Sequence, residues 1–299
     1  MASLNSWIKA ARLRTLPLAL SSIAMGGVVA SQYARFNLKA VIMAAVTTLF
    51  LQILSNLAND YGDFSTGIDN DRRVGPKRTV QTGEISPGAM KNAIWLFALL
   101  SLVSGLLVIF WAADLDLSTS LLFLLLGLGA IAAAIKYTVG RNPYGYVGLG
   151  DLFVFLFFGM LAVGGTFYLA TGMWDPLVLL PAAAMGLFST GVLNLNNMRD
   201  VENDRINGKR TMVVKMGLRK AFLYHCLLIL LPFALLSLYL VLSDASPWAY
   251  LFLLTLPLFS VDLMRIARIH GGAMLDPFLK KLALKTLLLT VVFGIFIHI

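Results

Sequence analysis

Nine apolar stretches of about twenty residues run through this chain, at 15–34, 38–60, 89–112, 118–137, 148–171, 177–198, 219–242, 246–266 and 281–298. Roughly 20 apolar residues are what a helix needs to cross the hydrocarbon of a bilayer. Lipid offers no partners to backbone N–H and C=O groups, so each stretch must close its own hydrogen bonds as a helix. The expectation is an all-α membrane protein with nine transmembrane helices. Composition agrees: 59% of the 299 residues are hydrophobic, 13% are charged, and the mean hydropathy is +0.81. A soluble domain is nearer 45–50% apolar and about 25% charged. Residues 1–16 are polar and basic and lack the apolar core and small-residue cleavage site of a signal peptide. The single cysteine, Cys226, excludes an internal disulfide and a cysteine metal centre.

The net charge of +9 invites a nucleic-acid reading, but the distribution of the cations points elsewhere. One set of connections is short (33–39, 112–118, 171–176 and 243–247) and holds only Arg35 and Lys39 of the 24 lysines and arginines, beside Asp114, Asp116, Asp175 and Asp244. The other cations lie in the N-terminus, the opposite loops and the adjoining helix ends. By the positive-inside rule that side is cytoplasmic. Nine spans then put the N-terminus inside and the C-terminus outside a multi-pass protein of the cytoplasmic (inner) membrane. The segment Trp7-Ile-Lys-Ala-Ala-Arg-Leu-Arg14 reads as an amphipathic helix lying in the interface as an anchor, with Pro17 turning the chain into the first span.

Two stretches carry the same costly signature at the end of an apolar segment. The first holds Asn56, Asn59, Asp60, Asp63 and Asp69; the second holds Asn194, Asn196, Asn197, Arg199, Asp200 and Asp204. Carboxylates at the edge of hydrocarbon are rare and functional. Asn56 and Asp60 are four residues apart, as are Asn196 and Asp200, so each pair shares a helix face. The repeat, 140 residues apart, suggests two related halves, roughly 15–137 and 148–266, followed by a ninth helix, in one domain whose polar ends converge on one cavity. Carboxylates crowded in a poorly solvated mouth repel one another, and a divalent cation relieves this. Oxygen-only ligands suit a hard ion such as Mg²⁺, which commonly takes one or two carboxylates and completes its shell with water and phosphate. Each stretch is followed by Lys-Arg-Thr, at Lys77-Arg78-Thr79 and Lys209-Arg210-Thr211, and Arg72 and Arg73 lie close by. Cations beside Mg²⁺ are what a diphosphate requires.

A third loop on the same side, Lys136-Tyr-Thr-Val-Gly-Arg141-Asn-Pro-Tyr-Gly-Tyr146, borders a flat aromatic substrate in this reading. Asp262 and Arg265, three apart, are expected to pair with each other. Gly127, Gly129, Gly159, Gly164 and Gly165 read as helix-packing positions. His225, His270 and His298 have no Ser or Cys partner at a meaningful spacing, which leaves no nucleophile system.

Asn56-Leu-Ala-Asn-Asp-Tyr-Gly-Asp-Phe-Ser-Thr-Gly-Ile-Asp69 and Asn196-Asn-Met-Arg-Asp-Val-Glu-Asn-Asp-Arg-Ile-Asn-Gly-Lys-Arg-Thr211 resemble the two Asp-rich signatures of the UbiA-type intramembrane prenyltransferases. The resemblance covers essentially the whole chain. Gly75-Pro-Lys-Arg-Thr-Val-Gln-Thr-Gly83, Tyr144-Gly-Tyr-Val-Gly-Leu-Gly-Asp151 and Ala11-Arg-Leu-Arg-Thr-Leu-Pro17 are similar to the branch that prenylates 1,4-dihydroxy-2-naphthoate. Val139-Gly140 departs from the Gly pair of that branch, and Lys136 precedes the tyrosine.

The resemblance implies nine helices around a central cavity capped by polar cytoplasmic loops, in a Mg²⁺-dependent enzyme. That enzyme joins a polyprenyl diphosphate to the naphthoate with loss of CO₂ and diphosphate, giving a demethylmenaquinone. Asp60, Asp63, Asp200 and Asp204 would hold Mg²⁺ with help from Asn56 and Asn196, while Arg78 and Lys209 would neutralise the leaving group. Asn56, Asn59, Asp69, Lys77, Lys136, Tyr137, Arg141, Asn196, Arg199 and Arg210 are the candidate substrate-binding residues. A sister enzyme acting on 4-hydroxybenzoate, or making haem O or a chlorophyll-type product, shares the metal site. An ion transporter is the rival from another class.

Overall fold

Ser3 starts the first helix, its hydroxyl accepting the backbone N–H of Ser6 at 3.2 Å. In this computed structural model, which describes residues 2–68, 74–112 and 115–299, α1 covers Leu4–Ala11 and stops where Arg12 adopts a left-handed backbone at φ 49°. A short turn leads to α2 (Leu16–Ala30), with Pro17 in its first turn, where a missing N–H costs nothing. There follow α3 (Leu38–Ser65), α4 (Pro87–Trp111) and α5 (Leu117–Lys136), started by Asn37, Ser86 and Asp116, whose side chains each accept a backbone N–H of the first turn. Then come α6 (Gly150–Thr171), α7 (Leu179–Ile206), α8 (Leu218–Leu242), α9 (Pro247–Ile266) and α10 (Asp276–Phe296), with a short helix Met212–Met216 between α7 and α8.

Eight helical segments among the described residues, α1–α2 taken together and α3 to α9 singly, are long and apolar enough to cross a membrane. The ninth expected span is α10, which packs along α2 and α9 but carries Lys280, Lys281 and Lys285 in its first three turns. α3 and α7 outrun their hydropathy boundaries, reaching Ser65 and Ile206 instead of residues 60 and 198. Hydropathy marks where lipid ends. The helices continue because their polar last turns are held by charge pairs described below.

The larger core lies among α7 to α10, where Phe188, Phe233, Phe252, Phe259 and Phe293 meet ring to ring at 5.3–6.0 Å. A second cluster joins α1, α3 and α4 through Leu54, Leu57, Met90 and Ile94, and Trp7 packs on it. The N-terminal helix is therefore docked on the bundle, and Lys9 reaches Glu84 at 3.2 Å. Hydrogen bonds from Ser6 and Lys9 hold the Glu84 carboxyl below its ordinary value. Asp262 pairs with Lys285 of α10 at 2.5 Å, which corrects the expected pairing with Arg265: Lys285 comes across from the neighbouring helix, whereas Arg265 is exposed.

Of the five glycines read as packing positions, Gly159 is one: an added Cβ would lie 2.5 Å from the Ala182 carbonyl oxygen. Gly165 sits at ordinary contact distance from Leu161 and Phe123, while a Cβ on Gly127, Gly129 or Gly164 meets nothing within 4 Å. The middle of α6, Phe155–Gly165, is wound as a π-helix. Such winding is rare and recurs at functional sites.

Candidate active site

A cavity of about 400 Å³ runs down the bundle from the polar ends of α3 and α7. Its lower walls are apolar, from α4, α5 and α6, and its floor is the cluster of Ile23, Ala44, Val108 and Leu169. An apolar shaft rimmed with charge at one end is the architecture that the two polar stretches create.

Asp60, Asp63, Asp200 and Asp204 are all buried at the mouth. Arg78 forks between the first pair, donating from one guanidinium nitrogen to Asp60 at 2.7 Å and from the other to Asp63 at 2.6 Å. Arg12 donates to the same Asp60 oxygen. Asp63 also accepts from the Tyr146 hydroxyl at 2.6 Å and from the Lys209 ammonium at 3.1 Å. Lys209 lies 3.9 Å from Asp204 and 4.5 Å above the centre of the Tyr146 ring. One ammonium thus stands between a carboxylate of each stretch. Burial and the Asp63 charge push the Tyr146 phenol far above its ordinary value, so it stays protonated and donates. On the other side Arg199 donates to Asp200 at 2.6 and 3.0 Å, to Asn196 at 2.8 Å, and to Asp276. Asp276 also receives Arg14 at 2.9 Å.

The polar amides anchor the mouth. Asn56 donates to the Ala11 carbonyl at 2.9 Å and to Thr15 at 3.2 Å, which ties the N-terminal turn to α3. Asn59 lies 3.2 Å from the Thr138 hydroxyl. Asn194 faces away from the cavity and donates to the Ala221 carbonyl of α8. The third loop brings Tyr137, Tyr144 and Tyr146 to the wall, and the first two meet edge to face at 5.3 Å. Burial raises the Tyr137 and Tyr144 phenols, so both remain neutral.

The structure therefore gathers Asn56, Asn59, Asp63, Arg78, Tyr137, Asn196, Asp200, Asp204 and Lys209 on the cavity wall. Asp60 and Arg199 lie just behind it, buried and holding those that face the space. Lys77, Lys136, Arg141 and Arg210 are exposed and off the wall. Asp69, with Arg72 and Arg73, lies outside the described residues. Arg12, Arg14 and Asp276 were missed by sequence reasoning. Arg12 and Arg14 read there as anchor cations, although a basic run directly before a proline-started helix is also a way to deliver charge to a helix mouth. Asp276 is the one acid after residue 270, opening a lysine-rich helix.

Among the described residues no three His, Cys, Asp or Glu side chains form a ready metal cage. The acids stand instead as two pairs, one per stretch, with amide oxygens beside them and cations already near. This donor set fits Mg²⁺, a hard ion that takes few carboxylates and leaves positions for phosphate oxygens.

Residues 19–276 match the UbiA prenyltransferase family. The chain is 41% identical over 295 residues to the 1,4-dihydroxy-2-naphthoate octaprenyltransferase of Haemophilus influenzae, covering 98% of this chain and 95% of that one. It has the fold of the UbiA homologue from Aeropyrum pernix K1, with a TM-score of 0.70 at 19% identity over 94% and 96% of the two chains. A UbiA homologue from Archaeoglobus fulgidus bound to DMAPP and Mg²⁺ superposes with a TM-score of 0.60 at 18% identity, over 96% and 99%.

Proposed function

Because the chain belongs to the UbiA prenyltransferase family, we propose that it transfers a polyprenyl group from its diphosphate to 1,4-dihydroxy-2-naphthoate. The observation that carries the chemistry is the paired carboxylate–cation mouth standing on an apolar shaft. The shaft suits a hydrocarbon tail, the mouth suits its diphosphate, and the tyrosines beside the mouth suit a flat ring.

The allylic C–O bond breaks and the diphosphate leaves with the electron pair. Arg78 and Lys209, held in place by Asp60, Asp63 and Tyr146 before any substrate arrives, neutralise the charge that grows on it, so little reorganisation is needed at that moment. Mg²⁺, when held by Asp63, Asp204 and Asp200 with Asn56 and Asn196 nearby, supplies further neutralisation of the phosphate oxygens. The dry apolar wall protects the allylic cation from water, and Tyr137 and Tyr144 flank it as neutral rings. The electron-rich naphthoate carbon attacks, a C–C bond forms, and the ring carboxylate departs as CO₂. The product leaves at the quinol level, and a later oxidation gives demethylmenaquinone. By the positive-inside rule we read the mouth as cytoplasmic.

Purified protein given labelled polyprenyl diphosphate, Mg²⁺ and either 1,4-dihydroxy-2-naphthoate or 4-hydroxybenzoate tests the reading. Product is expected with the naphthoate alone, with EDTA abolishing it. Prenylation of 4-hydroxybenzoate and not the naphthoate refutes the acceptor assignment.

A further inference from the structure

The three lysines in the first turns of α10 have three different settings. Lys285 pairs with Asp262 at 2.5 Å and donates to the Leu258 carbonyl. Lys281 lies 4.9 Å from the centre of the Phe278 ring. Lys280 is exposed and lines the cavity with Leu279 and Ala283, and it has neither an ion pair nor a hydrogen bond among the described residues. Its natural partner is Asp276, since an acid four residues before a lysine shares its helix face. That carboxylate is already taken by Arg14 and Arg199. One turn further along α10, a cation therefore borders the cavity with its charge unmatched.

The described charges at the mouth fall into two groups. Arg12, Arg78 and Lys209 stand against Asp60, Asp63 and Asp204, three cations to three acids. Around the start of α10, Arg14, Arg199 and Lys280 stand against Asp200 and Asp276, three cations to two acids. The first group is balanced, which suits a metal and a diphosphate that offset each other. The second carries one positive charge in excess, which a single carboxylate matches. α10 packs on α2 and α7, whereas Tyr137 and Tyr144 stand at the end of α5 and in the loop after it, which bonds to α3 through Thr138. An aromatic acid between these walls meets rings on one side and the Lys280 ammonium on the other. Resting on the function proposed above, we infer that Lys280 binds the carboxylate of the aromatic acceptor, and so makes the enzyme select a hydroxyaryl acid over the same ring without its carboxylate.

The test is direct binding, in lipid nanodiscs with empty nanodiscs as the blank, of 1-hydroxy-2-naphthoate and of 1-naphthol, which lacks the carboxylate. The wild type is expected to bind the acid at least about tenfold more tightly, the effect of a hydrogen bond between charged groups. Lys280→Met is expected to lower that preference to within twofold and to leave 1-naphthol binding unchanged. Lys280→Arg keeps the charge and is expected to bind the acid within threefold of wild type. Lys281→Met, off the cavity wall, is expected to change neither ligand. Lys280→Met breaks none of the ion pairs described above and methionine is as good a helix former as lysine, so folding is preserved. Mg²⁺-dependent binding of geranyl diphosphate within twofold of wild type reports it. A preference for the acid that is absent in the wild type, kept in Lys280→Met, or lost together with geranyl diphosphate binding overturns the inference. Should the wild type prenylate 4-hydroxybenzoate and not the naphthoate, the function proposed above falls, and the same split read with 4-hydroxybenzoate against phenol decides this inference separately.

Discussion

Arg78 shows how much one side chain carries. Its guanidinium links two buried carboxylates of the first stretch, and its planar fork matches them. Arg78→Met leaves buried acids short of their counter-charge, a loss of about 3–5 kcal/mol by the cost of breaking buried pairs, visible as a lower melting temperature in detergent. Arg78→Lys keeps the charge and loses the fork, so kcat/KM is expected to fall at least about tenfold while the protein still inserts. Tyr146→Phe removes the 2.6 Å bond to Asp63 and keeps the ring under Lys209. A net hydrogen bond of about 1 kcal/mol predicts a roughly fivefold rise in KM for the diphosphate, and an unchanged KM removes Tyr146 from the donor site. The carboxylates and their spacing were legible in the sequence because intramembrane-edge acids are rare. Which of them face the cavity was not: Asp60 and Asp63 lie three residues apart on one helix face, and only the approach of Arg12 and Arg78 from distant segments turns Asp60 inward.

At the scale of elements, helix number and order followed from hydropathy, whereas helix ends did not. α3 and α7 stay helical through polar turns that a hydropathy window counts as loop. α1 differs most from its sequence reading: amphipathic patterning cannot tell a lipid surface from a protein surface, and here Trp7 found α3 and α4. Glycines were equally ambiguous, since a helical glycine marks close approach or open space with the same letter. The two cases separate on substitution. Gly159→Ala drives a Cβ to 2.5 Å from a carbonyl oxygen and is expected to cost about 1–3 kcal/mol, as overpacking does; Gly164→Ala meets nothing within 4 Å and is expected to be neutral. Thermal unfolding of the two variants side by side checks this, and equal melting temperatures refute the packing difference.

Across the whole molecule, the proposed nine crossings, with α10 as the ninth, put the two termini on opposite sides of the membrane. A phosphatase fused after Ile299 is expected to be active outside the cell and a fluorescent protein fused before Met1 to glow inside; the reverse pattern inverts the proposed orientation. Asp276 has a consequence of a different kind. This carboxylate, at the start of the last helix, receives Arg14 from near the start of the chain and Arg199 from α7. Ribosomes add about 5–20 residues per second, so on the order of tens of seconds separate the synthesis of Arg14 from that of its partner. During that interval eight helices can already sit in the bilayer while Arg14 lacks Asp276 and Arg199 is held by Asp200 and Asn196 without it. A chain released at residue 270 is expected to be membrane-inserted and inactive, with protease-sensitive N-terminal residues. On that expectation the order of translation makes the final helix the last part of the mouth to be supplied, and activity measured on the released chain checks it.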